Sequence, residues 1–495
     1  MDTLEAAPGE REEEASLGQP AGAGGGMTRN RFILASFALT DYRMRIMNPP
    51  HLQIKQGLIL KASRVLPLAC LLFCTARAAS DAGIEPGFTP LFDGQTLSGW
   101  WGASTEDPRQ WMALPSAEFQ KKHDASLDDI RQHWRVENGE LVNDGAGLFL
   151  TTEKNFGDIE LVVDYKTVPL ADSGIYLKGC PQVQIWDHTN AREFKNGAEK
   201  GSGGLWNNSP GAPGKDPLVM ADKPFGEWNH FRIRQLGSRT TVWFNDKLVV
   251  DNAILENYFD RKLPIPPLGP IQLQTHGGEI RWRNLAVREI PTDEANQLLR
   301  GTDPDGFQPI FNGKDFDGWA GPVDCCKVQD GAIVWQRGKG GTPYTKAEYT
   351  NFVARLEFKL PPGGNNGLAI RYPGYGDTAY VGMCEVQVLD DNYEKATGEK
   401  IDPRQAHGSA YGMVAAARGC QRPIGQWNYE EVTVVGPTIK VELNGFLILD
   451  CDLSHVTQFL DNKSHPGKDR TSGHFGLAGH DDPVMFRNLS IKALE

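Results

Sequence analysis

The apolar positions of this chain recur mostly with a period of two. IELVVDYKT (159–167), RTTVWFN (239–245), FVARLEFKL (352–360) and IKVELNG (439–445) all alternate apolar with polar residues over strand-length runs. Gly, Asn, Asp or Pro separates such runs. The tips FND (244–246) and LNG (443–445) predict tight hairpins, because Asn, Asp and Gly tolerate positive φ. Many short strands at regular spacing indicate an all-β, antiparallel sandwich. One stretch departs from this pattern. DDIRQHW (128–134) ends an insertion special to the first half and is read as a short helix.

Self-comparison shows that the strands come twice. FTPLFDGQTLSGW (88–100) matches FQPIFNGKDFDGW (307–319), and WRVENGELV (134–142) matches CKVQDGAIV (326–334). GEWNHFRI (226–233) matches GQWNYEEV (425–432), and VWFNDKLVVD (242–251) matches VELNGFLILD (441–450). GPIQLQTHGGEIRWRNLAV (269–287) aligns without a gap to GHFGLAGHDDPVMFRNLSI (473–491). The matches keep their order, so the chain is a tandem duplication. The expected domains are 86–290 and 307–495, with 291–306 as linker.

The first eighty residues stand outside this repeat. Residues 1–46 are read as a disordered tail or a start codon placed too early. Residues 47–79 have the order of a secretory signal peptide: Lys55, Lys61 and Arg64, then the apolar run VLPLACLLFC (65–74), then Ala76-Arg77-Ala78. Ten apolar residues are too few to span a bilayer. A secreted or periplasmic protein is therefore expected, with no membrane span after cleavage. A formal net charge of −12 argues against nucleic acid as a partner. Of eight cysteines, Cys70 and Cys74 leave with the signal peptide, and neither a CxxC pair nor a zinc spacing is present. No phosphate-binding glycine motif occurs either.

The candidate chemistry centres on CEVQVLDD (384–391), whose counterpart is PQVQIWDH (181–188). Glu385 and Gln387 share a strand face, while Val386 and Val388 face the core. A one-residue bulge after Val388 would return Asp390 to the Glu385 side and align two carboxylates for acid/base work on a sugar. A solvated polar stripe is the ordinary alternative. Arg371, in the preceding strand, is placed to bind an oxyanion. HGSAYG (407–412) contributes His407 and Tyr411, and His480 ends a later strand.

Taken together, these motifs resemble the 3-keto-disaccharide hydrolase domain family. The matching pieces are FTPLFDG (88–94), CEVQVLD (384–390), GSAYG (408–412), GEWN (226–229), QTHG (274–277) and FRNLSI (486–491). The resemblance implies a concanavalin-like jelly roll, export, and sugar substrates oxidised at C3, which a separate oxidoreductase would supply. On such a substrate Glu385 would act as base or metal ligand, tuned by Asp390. Arg371 would stabilise the enolate, and His407 or His480 would protonate the leaving oxygen. A divalent cation could polarise the ketone instead.

The copies differ at these places. Where the second has Glu385, Arg371 and Tyr411, the first has Gln182, Lys178 and Trp206. Gln takes no proton near neutral pH, so the first copy is read as a binding domain, with Gln184, Asp187, Trp206 and His276 as candidate sugar contacts. Gln387 and Tyr411 are the candidate sugar contacts of the second. It in turn departs from the family at Ala478-Gly479-His480-Asp481, where the first copy keeps Gln274-Thr275-His276-Gly277. A non-catalytic pair of lectin-like sandwiches is the alternative.

Overall fold

The structure is a computed structural model of the chain and describes residues 85–301 and 306–495. The tail and signal peptide expected at 1–79 lie outside the described residues. Among the described residues no helix is long and apolar enough to cross a membrane.

The described chain forms two tandem β-sandwiches, each an eight-stranded sheet facing a five-stranded one, with all pairings antiparallel. In the first copy the smaller sheet runs, in spatial order, Trp100–Ala103, Phe149–Thr152, Gln272–Leu273, Ser173–Leu177 and Cys180–Ile185. The second repeats that order as Trp319–Ala320, Tyr344–Tyr349, Gly473–Gly479, Asn365–Tyr372 and Cys384–Leu389. The period-two pattern explains the layering. In the strand Asn229–Leu236, Phe231 and Ile233 are fully buried while Arg232 and Arg234 face outward. Asn245 and Asp246 carry φ of 49° and 65°, as the FND hairpin requires.

The helical insertion is longer than its expected end. It forms Pro108–Met112 and then an eighteen-residue helix, Ser116–His133. Its sequence is largely polar, so little periodicity betrays it; only Ser126 and Ile130 are buried. Gly102 makes the contact possible, since a Cβ there would lie 3.0 Å from Ile130 Cγ1. A third helix, Thr292–Arg300, occupies most of the expected linker. Its Asn296 receives a hydrogen bond from Arg422 and donates to the Trp427 carbonyl, at 3.0 and 3.1 Å.

The two copies interlock through two hairpin turns, 237–238 of the first and 444–445 of the second. Ser238 N donates to Gly445 O at 3.0 Å. Gly237, with φ of 58°, sits so close that a Cβ would be 2.3 Å from Asn444 O. Arg239 pairs with Glu442, and Arg422 reaches Asp158 at 3.2 Å across the same junction.

Gly237→Ala is expected to cost roughly 2–4 kcal/mol, combining positive-φ strain with collision against the neighbouring copy. Gly139→Ala is the control, since its φ is 80° but nothing lies within 4 Å of the added Cβ. Thermal melting should show a clearly larger loss at Gly237; equal losses would mean that the turns do not interlock.

Candidate active site

The strand Cys384–Leu389 pairs with Asn365–Tyr372 in unbroken register from Ile370↔Cys384 to Asn365↔Leu389. The bulge expected after Val388 is therefore absent from this pairing. With strict alternation, Glu385, Gln387 and Leu389 face a cavity of about 370 Å³, while Val386 and Val388 are buried in the sandwich core. Asn365, Asp377, Tyr380, Tyr411, Lys463 and His480 also line this cavity.

Glu385 lies at its floor, 5% exposed. Its carboxylate occupies space that only a glycine partner leaves open: a Cβ on Gly367 would stand 2.2 Å from Oε1. Thr378 Oγ1 donates to Oε2 at 2.5 Å. Burial pushes the carboxyl up to about 7; the Thr378 hydrogen bond opposes this shift and the nearby charge of Asp377 adds to it. Glu385 thus exchanges its proton near neutral pH. Thr378 arrives there because Asp377 caps the one-turn helix Thr378–Val381, accepting from Ala379 N at 3.1 Å.

Beside it, Gln387 is 3% exposed and donates to Asn365 Oδ1 at 2.9 Å, while its own Oε1 has no partner. Tyr411 is hooked to the catalytic-strand candidate by its backbone, N to Glu385 O at 2.9 Å. Its hydroxyl accepts from Gln405 Nε2 at 3.0 Å, which leaves the phenolic hydrogen free for another acceptor. His480 stands exposed at the rim, and Lys463 lies there with its ammonium 3.5 Å from the Tyr380 ring centroid.

Three residues expected at this site are placed elsewhere. Asp390 lies beyond the strand and accepts from Gly363 N and Asn392 N, both at 2.8 Å; without a bulge it does not return to the cavity. Arg371 points into the protein and donates to the carbonyls of Thr350, Gly436 and Arg470, each at 2.8 Å. It is a clamp between sheets, with its guanidinium fully used. His407 is buried in the sandwich interior against the Phe358 ring, 5.0 Å between centroids, with Nε2 3.5 Å from Glu430. Burial lowers His407 to about 3 and raises Glu430 to about 8, so desolvation favours the neutral form of each.

A family model, the 3-keto-alpha-glucoside-1,2-lyase-like domain, matches residues 87–288 and again 306–492. The chain belongs to this family. It carries two copies of the family domain, one per sandwich. A curated relative, the 3-keto-disaccharide hydrolase of Bacteroides thetaiotaomicron, is 28% identical over 250 residues, covering 42% of this chain and 85% of the relative. Two solved structures from Parabacteroides distasonis, both assigned as candidate glycosyl hydrolases, are 26% and 27% identical. They cover 42% and 38% of this chain and 99% of their own, with TM-scores of 0.35 and 0.34.

In the first family domain the corresponding face carries amides. Gln182 takes the place of Glu385 over Gly174, whose added Cβ would lie 2.3 Å from Gln182 Oε1. Gln184 Nε2 donates to Asp172 Oδ1 at 2.8 Å, the counterpart of the Gln387–Asn365 bond. His276, exposed, bonds the other Asp172 oxygen at 2.7 Å, which raises its pKa. Trp206 meets Trp186 edge-on at 5.8 Å. Asp187 is consumed locally by Leu170 N and Thr189 N, each at 2.8 Å, and by the Thr189 hydroxyl, so it is a loop brace and not a sugar contact.

Sequence reasoning missed Asp377, Thr378, Tyr380 and Lys463. The seat of the Glu385 carboxylate did leave a signal: a lone Gly367 inside an apolar strand marks close approach of a neighbouring side chain. Among the described residues no group of three or more His, Cys, Asp or Glu side chains is placed to hold a metal ion.

Gly367→Ala is expected to displace the Glu385 carboxylate while leaving the strand paired. Turnover should fall at least tenfold with far-UV circular dichroism unchanged. Arg371→Met, by contrast, should lower stability by about 3 kcal/mol, because the buried guanidinium gives up its hydrogen bonds to three carbonyls. Melting curves of the two variants separate these roles.

Proposed function

We propose that the chain is a glycoside-cleaving enzyme acting on 3-keto-disaccharides or 3-keto-glucosides, with its catalytic centre in the second sandwich. The observation that carries this reading is the buried Glu385, held at the floor of a polar cavity with its pKa at about 7. Family membership and the name of the Bacteroides relative support the substrate class. The chemistry follows from the ketone. A carbonyl at C3 acidifies the C2–H, and Glu385 removes that proton. Electrons flow through the enolate, the C1–O bond breaks, and the aglycone oxygen takes a proton from the rim, where Tyr411 and His480 face the cavity. Water then adds across C1=C2, its hydroxyl to C1, while Glu385 returns a proton to C2. The sum is hydrolysis. Lys463 adds positive charge near the developing oxyanion.

Such a substrate must come from an oxidoreductase acting at C3, which we propose as a functional partner. Export to the periplasm or beyond is likewise proposed, on the order of charges, apolar run and small residues at 47–79.

The test is release of a chromogenic aglycone from a 3-keto-glucoside. Glu385→Gln is expected to reduce it by roughly 10²–10⁴-fold. In the wild type, kcat/KM should rise with pH through about 7, because the base is the ionised carboxylate, and Thr378→Val should move that midpoint upward. Absence of release by the wild type, or release indifferent to Glu385→Gln, overturns the assignment.

Stability gives an independent check. The folded pKa of Glu385 lies above its ordinary 4.5, so ionisation penalises the fold. That penalty is absent below pH 4.5, grows as pH rises to about 7, and is full above it. Glu385→Gln should therefore stabilise the protein at pH 8, by up to about 3 kcal/mol, and hardly at all at pH 4.5. Equal melting temperatures at pH 8 would show that the carboxylate is well solvated.

A further inference from the structure

We propose that the first sandwich holds a second saccharide site, one that binds a neutral glucoside unit without cleaving it, on the face equivalent to the Glu385 cavity. Four observations converge there. Gln182 and Gln274 are 3% and 7% exposed, yet Oε1 of each has no partner. Buried acceptors of this kind call for donors, and sugar hydroxyls are donors of the right size. The amides are held in place: Gln182 donates to Gln184, and Gln184 donates to Asp172. The same Asp172 accepts from Nδ1 of the exposed His276, which leaves Nε2 to accept from a sugar hydroxyl when the ring is neutral and to donate to one when it is protonated. Trp206, set edge-on to Trp186, offers a ring for stacking a pyranose at the end of the edge strand.

The chemistry of this face suits holding and not cleaving. Its two ionisable groups are spent on each other: Asp172 oxygens are occupied by Gln184 and His276. The position that would take a proton is an amide, Gln182, lying over Gly174 as Glu385 lies over Gly367. Between the copies the carboxylate has changed place. In the first it sits at Asp172 opposite an amide at 182; in the second it sits at Glu385 opposite an amide at Asn365. One arrangement orients a histidine through its Nδ1, and the other frees a carboxylate as a base.

The test is calorimetric titration of the full chain carrying Glu385→Gln, which removes turnover. The probes are methyl α-glucoside, methyl β-glucoside and their 3-keto counterparts. Two binding events per chain are expected with at least one probe. His276→Ala and Gln184→Ala, added separately, should each weaken one event about tenfold, and Gln387→Ala should weaken the other. His276 is exposed, so its loss does not threaten the fold, and melting curves of both variants are to match the parent's before binding is compared. A single event lost with Gln387→Ala and indifferent to His276→Ala overturns the proposal, as does no binding beyond that event with any of the four probes. The aglycone-release assay reads Glu385 alone, so failure there and failure here are separable.

Discussion

A buried cation at the end of an inner strand ties the sheets of each sandwich together. In the first copy it is Lys178, whose ammonium donates to Gly237 O at 2.9 Å; in the second it is Arg371, donating to Gly436 O at 2.8 Å. Both carbonyls belong to the equivalent hairpin of the larger sheet, and both cations sit on positive-φ backbone, 54° and 46°. A buried charge is tolerated here because backbone carbonyls accept from it, Gly237 O from Lys178 and three carbonyls from Arg371. Burial lowers Lys178 to about 8, partly offset by Asp158, whereas the guanidinium satisfies more carbonyls at once. The inner strand fixed this way carries Gly174 or Gly367. Those glycines decide where the side chain of the edge strand can lie.

The Lys178 ammonium also lies 4.8 Å from the Phe446 ring of the second copy, so the same cation stands at the junction between sandwiches. The duplication is thus one rigid architecture used twice: a cation clamp, a glycine on the inner strand, a Gln–Asx bond on the edge strand. Against that constant frame a few polar side chains diverge. Ser202 becomes His407 and Phe231 becomes Glu430, and the two new groups meet in the core of the second sandwich. Glu430 has no partner closer than that imidazole, an uncommon arrangement for a fully buried acid.

Much of the site was legible because strand periodicity is simple. Alternation alone put Glu385 and Gln387 on one face and Val386 and Val388 on the other. The loop 407–412 placed Tyr411, and the correspondence between the copies placed Trp206, near that face. The errors share one cause: they concern residues beyond the last regular position of a strand or on a return loop. Asp390, one residue past the pairing, needed a bulge that the register does not contain. His407 sits in the same loop as Tyr411 but on its inner side, and sequence alone cannot assign a loop residue to core or cavity. Arg371 lies one residue past Ile370, the last position paired with the edge strand, and its own φ of 46° breaks the strand's alternation.

The sequence by itself determined the duplication, the all-β class, the strand faces and the family, since these depend on local periodicity and on ordered repetition. The tertiary structure alone decided which polar groups meet. Thr378 beside Glu385, Asp172 between Gln184 and His276, and Arg371 beneath a distant hairpin are contacts between residues that the chain brings together only when two sheets close. The elevated pKa of Glu385 belongs to that closure too, because a carboxyl is desolvated by its surroundings and not by its neighbours in sequence.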